Sequence, residues 1–560
     1  MNSTFFLVLR RMRVPIIVLI VIYAISIFGL TLVPGVDAEG KAAPPLSFFH
    51  AFYFISYTAT TIGFGEIPVA FSDAQRLWVT FCIYLTVIGW SYSVVTLIAL
   101  LQGKGFQNTL TTSRFARRVR LTSQDFYLIC GCGETGSLIA RSFDHIGQAF
   151  VVIEKEELRV EELDLLDFKT DIPALAADAR LPDNLRLAGL NHPRCRGVLA
   201  VTNDEQSNLA IAIAARLLNP GISVIARAEQ ATITANMASF GTDHIVNPYE
   251  RFAERLALAI AVPERFRLIE LLTSLPETPL SEAPRPPRGH WILCGYGSFG
   301  HAVANRLRDT GITLTIIDPG SQDADHDIPG DGTEADTLRQ AGIDRASGIV
   351  AGSDNDINNL SIAVTAAGLN PQLFVVARQN HAANSALFAA YDADFTVLPS
   401  RIIAQECIAI LTAPLLAHFL DLVQQIDEDR CRHLVECLQA ECAGLTPVVW
   451  DNRLNAAEAP ALWRALMHEQ RILLGDILRD GADRGLRLPV VPLLVEREND
   501  WFLLPADDFR LQAGDQLLFA SPLAAQRNLE LTLRNANELD YVLTGQERSG
   551  SLLSKLLAAR

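Results

Sequence analysis

Two uncharged apolar segments near the N-terminus constrain the fold of this 560-residue chain more than any other feature. Residues 14–33 read VPIIVLIVIYAISIFGLTLV, and residues 77–101 form a second apolar run. At 1.5 Å per residue, each is long enough to cross a hydrocarbon core of ~30 Å as a helix. A cleaved signal peptide is the alternative for the first run, but the run is too long and no small-residue cleavage site follows it. The sequence therefore predicts two membrane spans.

The basic residues predict the orientation of these spans. Arg10, Arg11 and Arg13 precede the first span, and Arg114, Arg117 and other basic residues follow the second. Because basic residues favour the cytoplasmic side, both termini and the large C-terminal part are expected in the cytoplasm, at the cell membrane. The formal net charge of −16 argues against a nucleic-acid partner.

The segment between the spans, residues 46–66, has the pattern of a pore loop. Residues 46–57 read LSFFHAFYFISY, which is about three helical turns and too short to cross the membrane, so the helix is expected to be re-entrant. Glycines in the following TATTIGFGE permit left-handed backbone, which aims successive carbonyls the same way. The expected ion-binding residues are Thr61, Ile62, Gly63, Phe64 and Gly65, with Glu66 as a carboxylate at the outer mouth. The side chains of Ile62 and Phe64 are expected to pack near Tyr53 and Phe54.

This segment resembles the pore loop of two-span potassium channels, with Ile62 and Phe64 in place of the Val and Tyr of Thr-Val-Gly-Tyr-Gly. A nonselective cation channel is the nearest alternative, but the intact Gly-Phe-Gly order favours potassium as the permeant ion. One chain supplies one pore loop, so the resemblance implies a homotetramer in the lipid bilayer. Gly89, in the middle of the second span, is either a gating hinge or a site of close helix packing.

The cytosolic part contains a duplication. Residues 125–136 (DFYLICGCGETG) match residues 290–300 (HWILCGYGSFG), and each copy continues into a second strand that ends in an acid, VVIE at 151–154 and TIID at 315–318. An apolar strand, G-x-G-x-x-G, a helix and an acid about 20 residues after the glycines are typical of a Rossmann fold that binds a dinucleotide. The sequence therefore predicts two α/β lobes, each with a doubly wound parallel sheet.

The residue types in these motifs point to a nucleotide. The glycines permit a tight turn and a close approach to phosphates, and the acids suit ribose hydroxyls. The ligand is expected to be NAD, NADH or an adenine nucleotide, and whether one copy or both bind it stays open. The candidate residues are Gly131, Gly133, Gly136, Glu154 and Asp178 in the first copy, and Gly295, Gly297, Gly300, Asp318 and Asp331 in the second.

A pore followed by two such lobes resembles the prokaryotic potassium channels with tandem RCK domains (regulators of potassium conductance). The resemblance implies an α-helical two-span pore domain, two Rossmann-like RCK domains and a small α+β C-terminal sublobe, with the lobes of four subunits forming a gating ring. The expected boundaries are 1–105 for the pore domain (spans 14–33 and 77–101), 106–124 for a linker, 125–275 for the first RCK domain, 276–288 for a second linker, 289–441 for the second RCK domain, 442–530 for the sublobe and 531–560 for a tail.

The expected function is a potassium channel gated by a cytosolic ligand. Calcium is a second ligand that the resemblance suggests, with Glu229 as the candidate side chain, although Arg227 lies two positions before it. The alternatives are a nucleotide-sensing regulatory subunit of a potassium transport system and a membrane-anchored NAD-dependent oxidoreductase. The second alternative requires a catalytic constellation that neither copy provides, so the chain is not expected to be an enzyme.

Overall fold

The computed structural model describes residues 2–37, 41–66, 70–166, 168–169, 172–280, 284–320, 327–498 and 500–546. Residues 547–560 of the predicted tail and 281–283 of the predicted second linker lie outside this part of the chain. The chain divides into two units, Met1–Arg118 and Val119–Arg560.

The first unit is mainly helical. Within its first and third helices, Met12–Leu32 and Asp73–Leu100 are long and apolar enough to span a membrane. The predicted re-entrant helix forms two residues further along the chain than expected, and much of the predicted linker 106–124 is helical. The elements are α1 (Asn2–Leu32), β1 (Gly35–Val36), β2 (Ala42–Ala43), α2 (Phe48–Ala59), α3 (Asp73–Gln102) and α4 (Lys104–Arg120), whose last two residues belong to the second unit.

The two long helices pack closely where a glycine removes the side chain. A Cβ atom added at Gly29 of α1 would lie 2.0 Å from the ring of Trp78 on α3. The Trp78 indole donates a hydrogen bond to the Ser26 carbonyl (3.2 Å). Ser72 and Gln75 form a capping box at the start of α3, and the Gln75 amide also donates to the Val33 carbonyl (3.0 Å). These contacts hold the end of α1 against the beginning of α3.

The second unit begins with two lobes of the same topology. Their six-stranded parallel sheets have the orders β5-β4-β3-β6-β7-β8 and β11-β10-β9-β12-β13-β14, which are doubly wound. The first lobe contains β3 (Phe126–Cys130), α5 (Glu134–Ile146), β4 (Ala149–Glu154), α6 (Glu157–Leu165), β5 (Ala174–Ala176), α7 (Pro182–Leu187), β6 (Cys195–Ala200), α8 (Glu205–Leu218), β7 (Ser223–Arg227), α9 (Ala231–Ser239), β8 (His244–Val246), α10 (Pro248–Ala261) and α11 (Pro263–Thr273).

The second lobe repeats this order with a shorter connection after its second strand. It contains β9 (His290–Cys294), α12 (Ser298–Asp309), β10 (Thr313–Ile317), β11 (Asp327–Ile328), α13 (Ala335–Gln340), β12 (Gly348–Ala351), α14 (Asp356–Leu369), β13 (Phe374–Arg378), α15 (Ser385–Tyr391), β14 (Phe395–Val397), α16 (Pro399–Thr412), α17 (Leu415–Val423) and α18 (Glu428–Glu441).

The two lobes exchange helices. The glycine-loop helix of each lobe packs against the helix that follows the last sheet strand of the other, α5 against α16 and α12 against α10. Phe143 of α5 is buried in one cluster with Ile403 and Cys407 of α16. Helices α16 and α17, with 110° between them, are together long and apolar enough to be a bent membrane span. In this structure, however, α16 is buried between the two lobes. Each lobe therefore completes the other's core.

Two parts of the chain with no predicted role contribute to the core of the sublobe. Its antiparallel sheet has the order β15-β18-β16-β17. Residues 451–482, to which the sequence assigns no role, supply Leu462, Leu474 and Ile477 to its core, and Leu539 of the predicted tail is buried there too. The elements are β15 (Val448–Arg453), α19 (Pro460–Met467), α20 (Leu474–Ile477), β16 (Val491–Arg497), β17 (Asp500–Leu503), β18 (Gln516–Ser521), α21 (Leu523–Arg534) and α22 (Ala536–Thr544).

Candidate functional site

The pore segment has a backbone that alternates in handedness. Thr61, Gly63 and Gly65 have φ values of 60°, 61° and 74°, whereas the φ values of Ile62 and Phe64 between them are not positive. Nothing lies within 4 Å of a Cβ atom added at either glycine, so the glycines are needed for their backbone conformation and not for space. The positive φ at Thr61 was not predicted from the sequence.

The helix α2 holds this segment through two tyrosines. The carbonyl of Tyr57 accepts hydrogen bonds from the N–H groups of Ile62 (3.0 Å) and Gly63 (3.3 Å), and its hydroxyl donates to the carbonyl of Glu66 (2.9 Å). The Tyr53 hydroxyl donates to the Glu66 carboxylate (3.1 Å). The ring of Phe64 contacts Tyr57 at a centroid distance of 6.1 Å, where the sequence predicted Tyr53 and Phe54.

Gly89 lies where α3 crosses α1. A Cβ atom added there would lie 2.3 Å from Cδ1 of Ile22. Ser93, one turn further along α3, donates to the Gly89 carbonyl (2.9 Å). The contact with Ile22 is the one expected of a packing glycine.

The glycine loop of the first lobe depends on glycine for three reasons. Gly131 has a φ of 96°, which disfavours other residues. A Cβ atom at Gly136 would lie 2.0 Å from the Gly131 carbonyl oxygen, so α5 begins against the end of β3. A Cβ atom at Gly133 would lie 2.7 Å from Nη1 of Arg159, which places that guanidinium over the loop.

The acids at the ends of the second strands lie on the glycine loops in both lobes. The buried Glu154 carboxylate accepts hydrogen bonds from the N–H groups of Cys132 (2.5 Å) and Glu156 (3.0 Å). Asp318 accepts from the N–H groups of Tyr296 (2.7 Å) and Gly320 (2.8 Å) in the same way. The structure thus brings the predicted glycines and acids together at the carboxyl ends of the strands, where doubly wound sheets bind ligands.

The acids that follow the third strands, Asp178 and Asp331, differ between the lobes. Asp178 forms an ion pair with Arg180 (2.6 Å), and this hydrogen-bonded guanidinium lowers the pKa of the Asp178 carboxyl. Asp331 accepts from the N–H of Thr333 (3.0 Å), the residue that takes the place of Arg180 in the second lobe.

A cavity of about 580 Å³ lies over the first-lobe glycine loop and is lined by both lobes. Lys155, Arg159, Arg180 and Arg227 bring positive charge to it. The second lobe contributes a wall that sequence reasoning missed, since its residues are far away in the sequence. That wall consists of Asp354, Arg378, Asn380, His381, Pro399 and Ser400.

The second-lobe loop has different surroundings. Residues 319–330, between its two acids, contain no lysine or arginine. Phe299 stands where the first lobe has Thr135, and the Arg378 guanidinium lies over the rings of Phe299 (5.1 Å) and Tyr249 (4.9 Å). Four of the five basic side chains that line the cavity belong to the first lobe, and the fifth is Arg378.

Glu229, the calcium candidate, is engaged with protein side chains. Arg227 forms an ion pair with its carboxylate, and the Tyr249 hydroxyl donates to it (3.1 Å). Arg378 in turn donates to the Tyr249 hydroxyl (2.9 Å), and burial raises the pKa of Tyr249 to about 12. No group of three His, Cys, Asp or Glu side chains placed to hold a metal occurs in the described part of the chain.

Comparison with known proteins identifies both parts of the chain. Residues 127–248 and 291–399 match the TrkA-N domain family, and residues 16–102 match the ion channel family. "Potassium channel protein 1" of Methanocaldococcus jannaschii is 26% identical over 270 residues, which are 48% of this chain and 75% of that protein. "Probable potassium channel protein 2" of the same organism is 25% identical over 235 residues, 42% of this chain and 63% of that protein.

Comparison with solved structures also finds the GsuK channel bound to NAD. That structure is 18% identical, covers 95% of this chain and 100% of its own, and superposes with a TM-score of 0.43. GsuK bound to ADP is 22% identical and covers 73% of this chain and 99% of its own, with a TM-score of 0.41.

Proposed function

We propose that this chain, which belongs to the prokaryotic potassium channels that carry RCK domains, conducts potassium under the control of a nucleotide bound in its first RCK lobe. The observation that carries the control step is the cavity over the first-lobe glycine loop. It combines a helix N-terminus, a buried acid and five basic side chains, which are the groups that bind phosphates and ribose.

The residues have distinct roles in this proposal. The N-terminus of α5 and the Arg159 guanidinium, which lies over Gly133, bind the phosphates. Glu154 accepts from the ribose hydroxyls, because its carboxylate lies beside the loop. The base extends toward the second-lobe wall. Asp318 and Asp331 keep the second lobe folded without binding nucleotide, since its loop lacks the basic lining.

The pore segment provides selectivity. The carbonyls of residues 61–64 replace the hydration shell of potassium, and the alternating φ values support this role because they let successive carbonyls face one side. One chain supplies one such segment, so four chains surround the pore, with Glu66 at its outer mouth and the RCK lobes in the cytoplasm. The nucleotide is a regulatory ligand, and no covalent step is proposed.

Potassium flux into liposomes containing the full chain tests the proposal. Flux is expected to change when NAD, NADH, AMP, ADP or ATP is added, and Gly63→Ala is expected to abolish selective flux because Ala disfavours the left-handed backbone. Absence of potassium flux with every nucleotide would contradict the channel.

Nucleotide binding is tested separately by Arg159→Ala. This change is expected to weaken affinity about tenfold, since it removes a charge-assisted contact with phosphate. The matched control is Arg186→Ala, because Arg186 makes the same i,i+3 ion pair with Asp183 that Arg159 makes with Glu156 but does not line the cavity. Equal affinities of both variants and wild type would overturn the phosphate assignment.

A further inference from the structure

Glu134 connects the first-lobe glycine loop to the second lobe. It is the fourth residue of the loop motif and the first residue of α5. Its carboxylate accepts a hydrogen bond from the N–H of Ala382 (2.8 Å) and contacts the Ser400 hydroxyl at the limit of hydrogen-bond distance (3.4 Å). The second-lobe motif has the uncharged Ser298 at the corresponding position, so only the first-lobe motif has a carboxylate there.

Both partners of Glu134 are firmly attached to the second lobe. Ala382 begins a single 3₁₀ turn, and the neighbouring residues are bound by the buried carboxylate of Asp356 on α14. Asp356 accepts from the N–H groups of Asn380 (2.5 Å) and His381 (3.1 Å) and from the Asn384 side chain (2.6 Å). Ser400 lies in the first turn of α16, which packs along α5. A shift of either partner relative to Glu134 therefore moves structured parts of the second lobe.

The same carboxylate lies beside the place where phosphate binds. In the proposed binding mode, the N–H groups at the start of α5 point toward a phosphate on the loop, and Glu134 is the first residue of that helix. A phosphate and an ionised carboxylate repel each other in a partly buried site, where the effective dielectric constant is well below that of water. Phosphate binding and the contact of Glu134 with Ala382 and Ser400 therefore oppose each other.

We propose that Glu134 couples the two RCK lobes to the ligand: a phosphate bound at the first-lobe loop weakens the hydrogen bonds that Glu134 makes with Ala382 and Ser400. The inference rests on the proposed nucleotide binding and adds how that binding is transmitted from the first lobe to the second. Because coupling between two binding events is reciprocal, the contact in turn lowers the affinity for phosphate. Removing the charge of Glu134 relieves that penalty.

The test is Glu134→Gln in the full-length protein, with ADP and adenosine as probes. Glutamine keeps the length of the side chain and an oxygen that accepts from Ala382, but it has no charge. ADP affinity is expected to rise about tenfold, whereas adenosine, which has no phosphate, is expected to bind as in wild type. Glu436→Gln, on the exposed face of α18, is the control that removes one charge away from the cavity.

Hydrogen exchange provides the second measurement. In wild type, ADP is expected to speed exchange of the Ala382 amide, and in Glu134→Gln that increase is expected to be lost. If wild type binds none of NAD, NADH, AMP, ADP and ATP, the proposed function fails, and this inference fails with it; if it binds one of the others and not ADP, that nucleotide takes the place of ADP as the probe. If wild type binds ADP but the affinity of Glu134→Gln is unchanged or weaker, or if ADP leaves Ala382 exchange unchanged in wild type, the role of Glu134 alone is overturned.

Discussion

Among single residues, Tyr57 contacts the pore segment through its carbonyl, its hydroxyl and its ring. Its carbonyl accepts from the N–H groups of Ile62 and Gly63, its hydroxyl donates to the Glu66 carbonyl, and its ring contacts Phe64. The phenylalanine at position 64 lacks a hydroxyl that a tyrosine would have, and hydroxyls of α2 hold the segment instead. Rigidity of the pore segment therefore depends on a residue that precedes residues 61–66 by four to nine positions.

Tyr57→Phe tests that dependence. The change removes the 2.9 Å hydrogen bond to the Glu66 carbonyl and keeps the ring. The K⁺/Na⁺ permeability ratio is therefore expected to fall about fivefold, which corresponds to the net free energy that one hydrogen bond contributes. Reversal potentials in planar bilayers measure the ratio. Tyr53→Phe is the control, because the Tyr53 hydroxyl contacts the Glu66 side chain and not its backbone, and its effect is expected to be smaller. A larger effect of Tyr53→Phe would contradict the role of Tyr57.

Among the structural elements, α1 and α3 approach each other at two glycines with different neighbours. A Cβ atom at Gly29 meets the rigid ring of Trp78, whereas one at Gly89 meets Cδ1 of Ile22, the end of a flexible side chain. Rotation of the Ile22 side chain relieves the second clash, whereas the Trp78 ring is large and its indole is bound to the Ser26 carbonyl. The first glycine is therefore the stricter packing requirement.

This difference separates the two roles open to Gly89. Gly29→Ala is expected to destabilise the helix pair by about 1–3 kcal/mol and to lower the yield of assembled protein on size-exclusion chromatography. Gly89→Ala is expected to assemble normally and to respond to nucleotide as wild type does, if packing is its role. Normal assembly with a lost response in flux assays would instead assign Gly89 to a hinge.

At the scale of the whole molecule, Asp451 marks where the sublobe meets the second lobe. It lies on β15. One of its carboxylate oxygens accepts from the N–H of Leu415 (3.3 Å), the first residue of α17, and from the Gln516 side chain (3.0 Å) on β18. Burial raises the pKa of Asp451 to about 6. The native state thus holds this proton more tightly than the unfolded chain, and the stability it contributes below pH 4 is lost as the pH rises through 6.

Asp451→Asn is expected to raise the melting temperature of the purified chain at pH 8. Asparagine can present its oxygen to both donors while removing a buried charge, and the pKa shift corresponds to about 2–3 kcal/mol. The gain in melting temperature is expected to shrink at pH 4.5, where the wild-type carboxyl is largely protonated. Intrinsic fluorescence in detergent follows the unfolding. A gain that is equal at both pH values would contradict a titrating Asp451.

Features that depend on residues close together in the sequence could be predicted, and features that depend on distant residues could not. The spans, the glycine loops and the acids Glu154 and Asp318 follow from local patterns, and the structure places the loops and acids together. The contact between Glu134 and Ala382 joins residues 248 positions apart and depends on how two lobes dock. Residues 451–482 contain short elements with weak periodicity, so their place in the sublobe core could not be derived from pattern.

The exchange of α5 and α16 between the lobes also has a consequence for biosynthesis. The buried face of α5 is complete only when residue 412 has been made, 266 residues after α5 ends at residue 146. At about 5–20 residues per second, the ribosome needs roughly 15 to 50 s to reach that point. During this interval the nascent first lobe displays an apolar surface around Phe143. A chaperone that shields this surface would have its longest opportunity in this interval.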